Sequence, residues 1–251
     1  MNEVQSELLS MYIDMKSVLD RHGIEFYIQF GTAIGAVRHN GFIPWDDDID
    51  VLVWESDLDR VNDVLSEELD NSLYYYHVPS ADTHPHIIRR VPDMEERLKA
   101  RDLPFIDIFP ISRCPSSGVI RKSLFNMMVW GNVGSIWAIE HTDSILLHRA
   151  VSWIPRMFKR VADSLVDRNS DMTVIYATEF KDYIFPRDWY GTPVMHRFET
   201  TEAPLPEKYH DMLTSMFGDY MTPPPEDSRQ GAGGFPCGAY KDYVMEQKLQ
   251  R

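Results

Sequence analysis

Apolar side chains recur at Val4, Leu8, Met11, Met15 and Leu19, a spacing that turns one face of a helix inward, and Gly23 follows as a stop. Residues 3–22 are therefore predicted to form an amphipathic helix. The run at 26–30 reads as a short buried strand ending in a Gly31-Thr32 turn, where Thr32 is placed to cap a brief helix over 33–39. Pro44 closes the next loop, 49–53 is a second strand, and a helix capped by Ser56 runs to about Leu69. Further strands are predicted at 74–78, 86–91 and 105–109, with Pro110 expected to end the last ladder. Residues 119–166 turn helical, aromatic and Met-rich; a Pro-punctuated stretch and a helix over about 207–217 follow. The fold class expected is α/β, a mixed sheet flanked by helices, with a core at 1–112, a helical insertion at 113–180 and a C-terminal cover at 181–251.

Composition narrows the class. A chain of 251 residues with 43% apolar and 25% charged positions can bury a core without staples, which excludes a disordered tail or a fibrous repeat. Cys114 and Cys237 stand far apart and no CxxC occurs, so neither a disulfide framework nor a cysteine zinc site is expected. The first residues lack a basic region leading into an apolar one, the pattern of a secretory signal, and a cytoplasmic location is expected. The uncharged run 123–139 contains Asn126, Asn132, Gly131 and Gly134 and does not read as a membrane span. The net charge of −14 opposes binding to nucleic acid, which needs a basic face.

The sharpest chemistry is Asp46-Asp47-Asp48-Ile49-Asp50-Val51. Side chains alternate along a strand, so Asp48 and Asp50 share a face at about 7 Å, and Asp46 extends the same series. These acids run directly into an apolar strand. Clustering them there carries like-charge repulsion unless Mg²⁺ or Mn²⁺ neutralises them. A calcium EF-hand is excluded by its own spacing, because Val51 stands where glycine is needed and Asp57 where the bidentate Glu belongs. Upstream, the turn at Gly31 and Thr32 opens a helix and can present backbone N–H groups to a phosphate.

A strand, a Gly-Thr turn, a short helix and a strand bearing Asp-x-Asp resemble the nucleotidyltransferase superfold. That resemblance implies a third carboxylate on a neighbouring strand. Asp107, isolated in Phe105-Ile106-Asp107-Ile108-Phe109, is the candidate, with a buried salt bridge as the alternative reading. The stretch from Phe30-Gly31-Thr32-Ala33-Ile34-Gly35 through Arg38-His39-Asn40-Gly41-Phe42-Ile43-Pro44-Trp45 to the acid run is similar to the signature of the LicD family, which includes bacterial phosphocholine transferases and, more distantly, fukutin. Similarity continues at Ile106-Asp107-Ile108-Phe109-Pro110, at Phe198-Glu199 and at Phe217-Gly218-Asp219-Tyr220. Thr200 stands where the family has Gly, and 113–180 does not align residue by residue.

The resemblance implies transfer of phosphocholine or a polyol phosphate from a CDP-linked donor to a hydroxyl on a glycan or lipid-linked glycan, with CMP leaving. Such transfer serves lipopolysaccharide, capsule or teichoic-acid-type synthesis. Asp46, Asp48, Asp50 and Asp107 are then the expected metal ligands, Asp48, Asp50 and Asp107 the catalytic set, and Gly31, Thr32, Arg38 and Trp45 the donor contacts. A nucleotidyltransferase releasing pyrophosphate, or a non-catalytic nucleotide-binding subunit, are the competing readings. His84-Pro85-His86 pairs two imidazoles but shows no acid nearby in sequence, and Arg89 and Arg90 read as solvated or as acceptor contacts. Residues 119–160 hold six bases against Glu140 and Asp143 among many aromatics, a mixture suited to a membrane surface or to packing on the core.

Overall fold

The computed structural model describes residues 1–80, 84–114, 118–166, 170–176, 182–231, 235–236 and 238–249. Cys237 lies outside them. Helix α1 (Glu3–Arg21) opens on a capping box in which the Gln5 N–H donates to Asn2 Oδ1 at 2.8 Å and the Asn2 N–H donates to Gln5 Oε1 at 3.1 Å. Strand β1 (Phe26–Ile28) leads into α2 (Phe30–His39), which ends on Asn40 in the left-handed region. Gly31 and Thr32 thus lie in the first turn of α2, not in a turn before it. The expected Thr32 cap does not form, because its hydroxyl faces β2 instead.

Strand β2 (Ile49–Trp54) is followed by a short 3₁₀ turn and α3 (Leu58–Glu68), whose start receives no side-chain cap, so Ser56 does not serve as one. Strands β3 (Tyr74–His77) and β4 (His86–Arg89) precede a short helix α4 (Met94–Ala100) that the sequence pattern did not disclose. Strand β5 runs over Phe105–Arg113. Pro110 does not end it. On the side where the Ile108 N–H donates to the Pro85 carbonyl at 3.0 Å, β5 exchanges β4, paired as far as Asp107, for β6, paired from Ile111, so the missing N–H falls at this changeover.

Three helices follow, α5 (Gly118–Glu140), α6 (Ile145–Val151) and α7 (Trp153–Ser164). The chain then returns to the sheet as β6 (Met172–Tyr176) and β7 (Asp182–Pro186), adds the hairpin β8 (Val194–Phe198) and β9 (Thr201–Leu205), and ends with α8 (Tyr209–Phe217) and α9 (Ala239–Leu249). The main sheet runs β1-β2-β5-β4-β3, with β6 beside the far half of β5 and β7 beyond it. Only β2 and β5 pair in parallel among these strands, and both lie at its centre. This is the expected mixed α/β sheet flanked by helices. Among the described residues the stretch 113–180 is helical as far as Ser164, and β6 within it pairs with β5.

One core joins α1, β1, β2, β5 and the hairpin, with Leu8, Tyr12, Ile28, Val51, Ile108 and Phe198 buried together. Burying each such side chain stabilises the fold by roughly 1.5–3 kcal/mol. Among the described residues no helix is long and apolar enough to cross a membrane.

Candidate active site

The parallel pairing of β2 with β5 sets Asp50 directly beside Asp107, and Asp48 precedes β2 on the same alternation. Asp48, Asp50 and Asp107 each offer an oxygen within 4.8 Å of the others. Asp48 and Asp50 are buried and Asp107 is half-buried. Three hard oxygen donors converging there fit a divalent cation such as Mg²⁺. Asp46 groups instead with Asp47 and Asp48. Its Oδ2 is buried without a hydrogen-bond partner and lies 2.9 Å from where a side-chain carbon on Gly31 would be. Burial, and then the neighbouring Asp47, push the Asp46 carboxyl up to about 7.

The surroundings hold these acids from several directions. The Asp50 N–H donates to Thr32 Oγ1 at 2.9 Å, so the buried Thr32 ties α2 to the start of β2. Gln5 Nε2 donates to the carbonyls of Ile43 and Asp46, both at 3.0 Å, and fixes the loop before the acids from α1. Between them, the Phe42 N–H donates to Glu199 Oε1 at 3.1 Å, and the Glu199 N–H donates to the Asn40 carbonyl at 2.8 Å. Gly41 is required at that contact, since a side-chain carbon there would lie 2.1 Å from Glu199 Oε1. Glu199, not Thr200, holds the positive φ of the β8–β9 turn, at 54°, which explains why Thr200 is tolerated. Phe30 also sits at positive φ, 51°, with its ring on Phe109 and Tyr183.

A cationic wall stands over Trp45. The Arg229 guanidinium lies 5.0 Å from the Trp45 ring, whose other side packs on the core. Arg38 donates to the Tyr220 carbonyl at 2.6 Å and to His39 Nε2 at 3.0 Å. Burial, and then Arg229, lower the Arg38 pKa, as expected where two guanidiniums share a site. Arg229 had no signal in the sequence beyond its type. Arg89 and Arg90 lie over the rings of Tyr74 and Tyr75 at 5.6 and 5.7 Å. Two surface clefts, one beside Trp54 and Arg187 and one beside Arg101 and Lys241, include none of the four aspartates.

Behind Asp107 runs a buried polar chain that the sequence did not reveal. His86 Nε2 is 3.3 Å from Asp107 Oδ1, and His86 Nδ1 is 3.1 Å from His77 Nδ1. His77 Nε2 reaches Asp242 Oδ2 on α9 at 2.9 Å, and His148 Nε2 on α6 reaches Asp242 Oδ1 at 2.8 Å. Ser80 donates to the same carboxylate through its N–H and its hydroxyl. Burial pushes the Asp242 carboxyl up, but hydrogen bonds from His148 and His77 outweigh it and hold the group well below its ordinary value. The helical stretch and the C-terminal helix are thereby joined to the central strand. The expectation that His84 and His86 lack an acidic neighbour is corrected: the β4–β5 register sets His86 opposite Asp107.

A sheet whose central parallel strands converge acids in this way, beside a helix opening on Phe30-Gly31-Thr32, resembles the arrangement of the nucleotidyltransferase superfold. Residues 23–128 match the family model described as LicD/FKTN/FKRP, nucleotidyltransferase domain, so this part of the chain is similar to the LicD family. Over 254 aligned residues the chain is 26% identical to the lipopolysaccharide cholinephosphotransferase LicD of Haemophilus influenzae, covering 92% of this chain and 94% of that one. An uncharacterized protein of Rickettsia prowazekii is 39% identical over 62 residues, 24% of this chain and 23% of its own. One of Rickettsia typhi is 36% identical over 66 residues, 25% and 21% respectively.

Proposed function

We propose that this chain is a metal-dependent phosphotransferase that moves phosphocholine or a polyol phosphate from a CDP-linked donor to a glycan hydroxyl, in cell-surface polysaccharide or teichoic-acid-type synthesis. The observation that carries the reading is the convergence of Asp48, Asp50 and Asp107 at the parallel β2–β5 pair. Likeness along nearly the whole chain to a protein named for choline phosphate transfer supports the choice of group. Phosphoryl transfer asks a protein chiefly for positioning and for charge compensation around the phosphates. Bound Mg²⁺ or Mn²⁺ would screen the diphosphate charge. Asp48, Asp50 and Asp107 would hold that ion, with Asp46 behind them, and Asp107, the most open of the three, would also face the acceptor hydroxyl. Gly31 leaves room for the Asp46 carboxyl beside the start of α2, whose N–H groups would face a phosphate, while Thr32 serves by fixing Asp50. Arg38 and Arg229 would reach the diphosphate with their forks of donors, and Trp45 would wall the donor's side. Incubating the chain with CDP-alcohols and nucleoside triphosphates in Mg²⁺, with mass spectrometry of the products, tests this. CMP with a CDP-alcohol is expected; pyrophosphate without CMP overturns the reading.

The acceptor side is proposed to work at the inner face of a membrane through residues 119–160. Part of the apolar stripe there is committed to packing: Ile139 is buried, and α5 approaches α7 so closely that a side-chain carbon on Gly131 would fall 2.1 Å from the Phe158 ring. Trp130, Trp137, Leu146 and Trp153 stay largely exposed, at 67, 62, 80 and 55%. Glu140 is paired with Arg101 and Asp143 with Lys241, leaving Arg149, Arg156 and Arg160 exposed on the same helices. The side chains of Arg121, Lys122 and Lys159 lie outside the described residues. Exposed tryptophans and bases suit an anionic headgroup layer, where each base adds about 1 kcal/mol. Flotation with anionic vesicles at low salt, lost at high salt and absent with neutral vesicles, is expected. Failure to float with either at low salt would refute the contact.

A further inference from the structure

His84 and His86 flank Pro85 at the start of β4, and alternation along an extended segment turns both toward Asp107. Each of the three residues offers one ligand atom, all within 4.8 Å of one another. The separation of His86 Nε2 from Asp107 Oδ1, 3.3 Å, is longer than a charge-assisted hydrogen bond, which favours about 2.7–2.9 Å. It matches the edge of a tetrahedron with bonds of about 2.0–2.1 Å, roughly 3.3–3.4 Å, the spacing of two ligands on one zinc-sized ion. Both rings are held. His86 stacks on His77 at 5.2 Å, with its Nδ1 engaged by that ring, and His77 is in turn fixed by Asp242. His84 stacks on Phe109 at 4.6 Å and 17°. A ring nitrogen fixed from behind while the other faces the ion is the arrangement that orients metal-ligating histidines.

We propose that His84, His86 and Asp107 form a second divalent-metal site, of mixed nitrogen and oxygen donors, adjoining the all-oxygen group and suited to Zn²⁺, Co²⁺ or Mn²⁺ in preference to Mg²⁺. Asp107 belongs to both groups. Its side chain is 15% exposed, which leaves the fourth position of such an ion open to solvent or to an acceptor. Imidazole selects borderline metals and carboxylate accepts either kind, so the two groups discriminate between ions by donor type.

The test uses the full chain stripped with EDTA and titrated with Zn²⁺ alone by calorimetry, so it reads metal binding whether or not phosphotransfer occurs. One equivalent is expected to bind with an affinity that Asp48→Asn changes less than threefold and His84→Gln lowers at least tenfold. Unchanged affinity in a folded His84→Gln, or loss in Asp48→Asn alone, would overturn the site. Should the histidine variants fail to fold, X-ray absorption of the zinc-loaded wild-type chain decides: two imidazole nitrogens are expected, and an all-oxygen shell refutes the proposal.

Discussion

Replacing Asp48 or Asp50 by Asn is expected to reduce turnover by on the order of a thousandfold or more, about 4 kcal/mol in the barrier, while the fold survives. Each change replaces one of three carboxylates whose oxygens lie within 4.8 Å of one another by a neutral amide, and so weakens the site's hold on a divalent cation. The metal-free protein should melt no lower than wild type. Asp48 and Asp50 are buried beside other acids, and the neighbouring Asp46, pushed up to about 7 by burial and by Asp47, shows how poorly this corner accommodates charge. Asn keeps the shape and removes one charge from the cluster. Turnover at saturating Mg²⁺ and thermal melting in EDTA measure the two halves separately. Near wild-type turnover in either variant would remove the metal assignment, and a large loss of melting temperature would show that the acids serve the fold instead.

What could be read from the sequence was what local period encodes. The alternation of Asp48 and Asp50 is a property of one strand, and the apolar run behind it announces burial, so their convergence was legible. Asp107 was legible for the opposite reason, as one acid alone among four apolar neighbours. The chain of His86, His77, Asp242 and His148 carries no such period. Its members stand 94 to 165 positions from one another along the links to Asp242, on β3, α6 and α9, and only tertiary packing brings them together. Gln5 is of the same kind: an amide in the first turn of a helix looks like a cap residue, and its grip on Ile43 and Asp46 depends on where α1 lies across the loop.

Pro110 shows a local rule defeated by its setting. Proline removes one N–H, and that matters only if a neighbour awaits it. Pro110 falls at the changeover between β4 and β6, at the end of both paired segments. Thr32 is a similar case, since a hydroxyl beside a helix start can serve its own helix or an adjacent strand, and here the Asp50 N–H takes it. The exposed tryptophans of α5 and α7 were ambiguous in sequence because packing and membrane contact draw on the same residue types. The close approach at Gly131 assigns part of that stripe to packing, while Trp130, Trp137 and Trp153 stay exposed.

Asp107→Asn is expected to lower the transfer rate by about a hundredfold while donor affinity stays within about tenfold, the pattern of a group acting mainly in the transition state. The competing reading, a buried salt bridge that holds the fold, needs a cation beside Asp107. One ring beside it is His86, and burial, followed by His84 and His77, holds its pKa well below the ordinary value, so at neutral pH it is uncharged. Asp107 therefore sits opposite a neutral imidazole on one strand and beside Asp50 on the other, with no ion pair between it and His86 to lose. Its partial exposure makes Asn easy to accommodate, and the circular dichroism spectrum should not change. Donor titration by fluorescence and single-turnover kinetics on the same preparation separate binding from chemistry. If the variant unfolds, or if affinity and rate fall together, Asp107 is a structural or ground-state contact and the transition-state role is wrong.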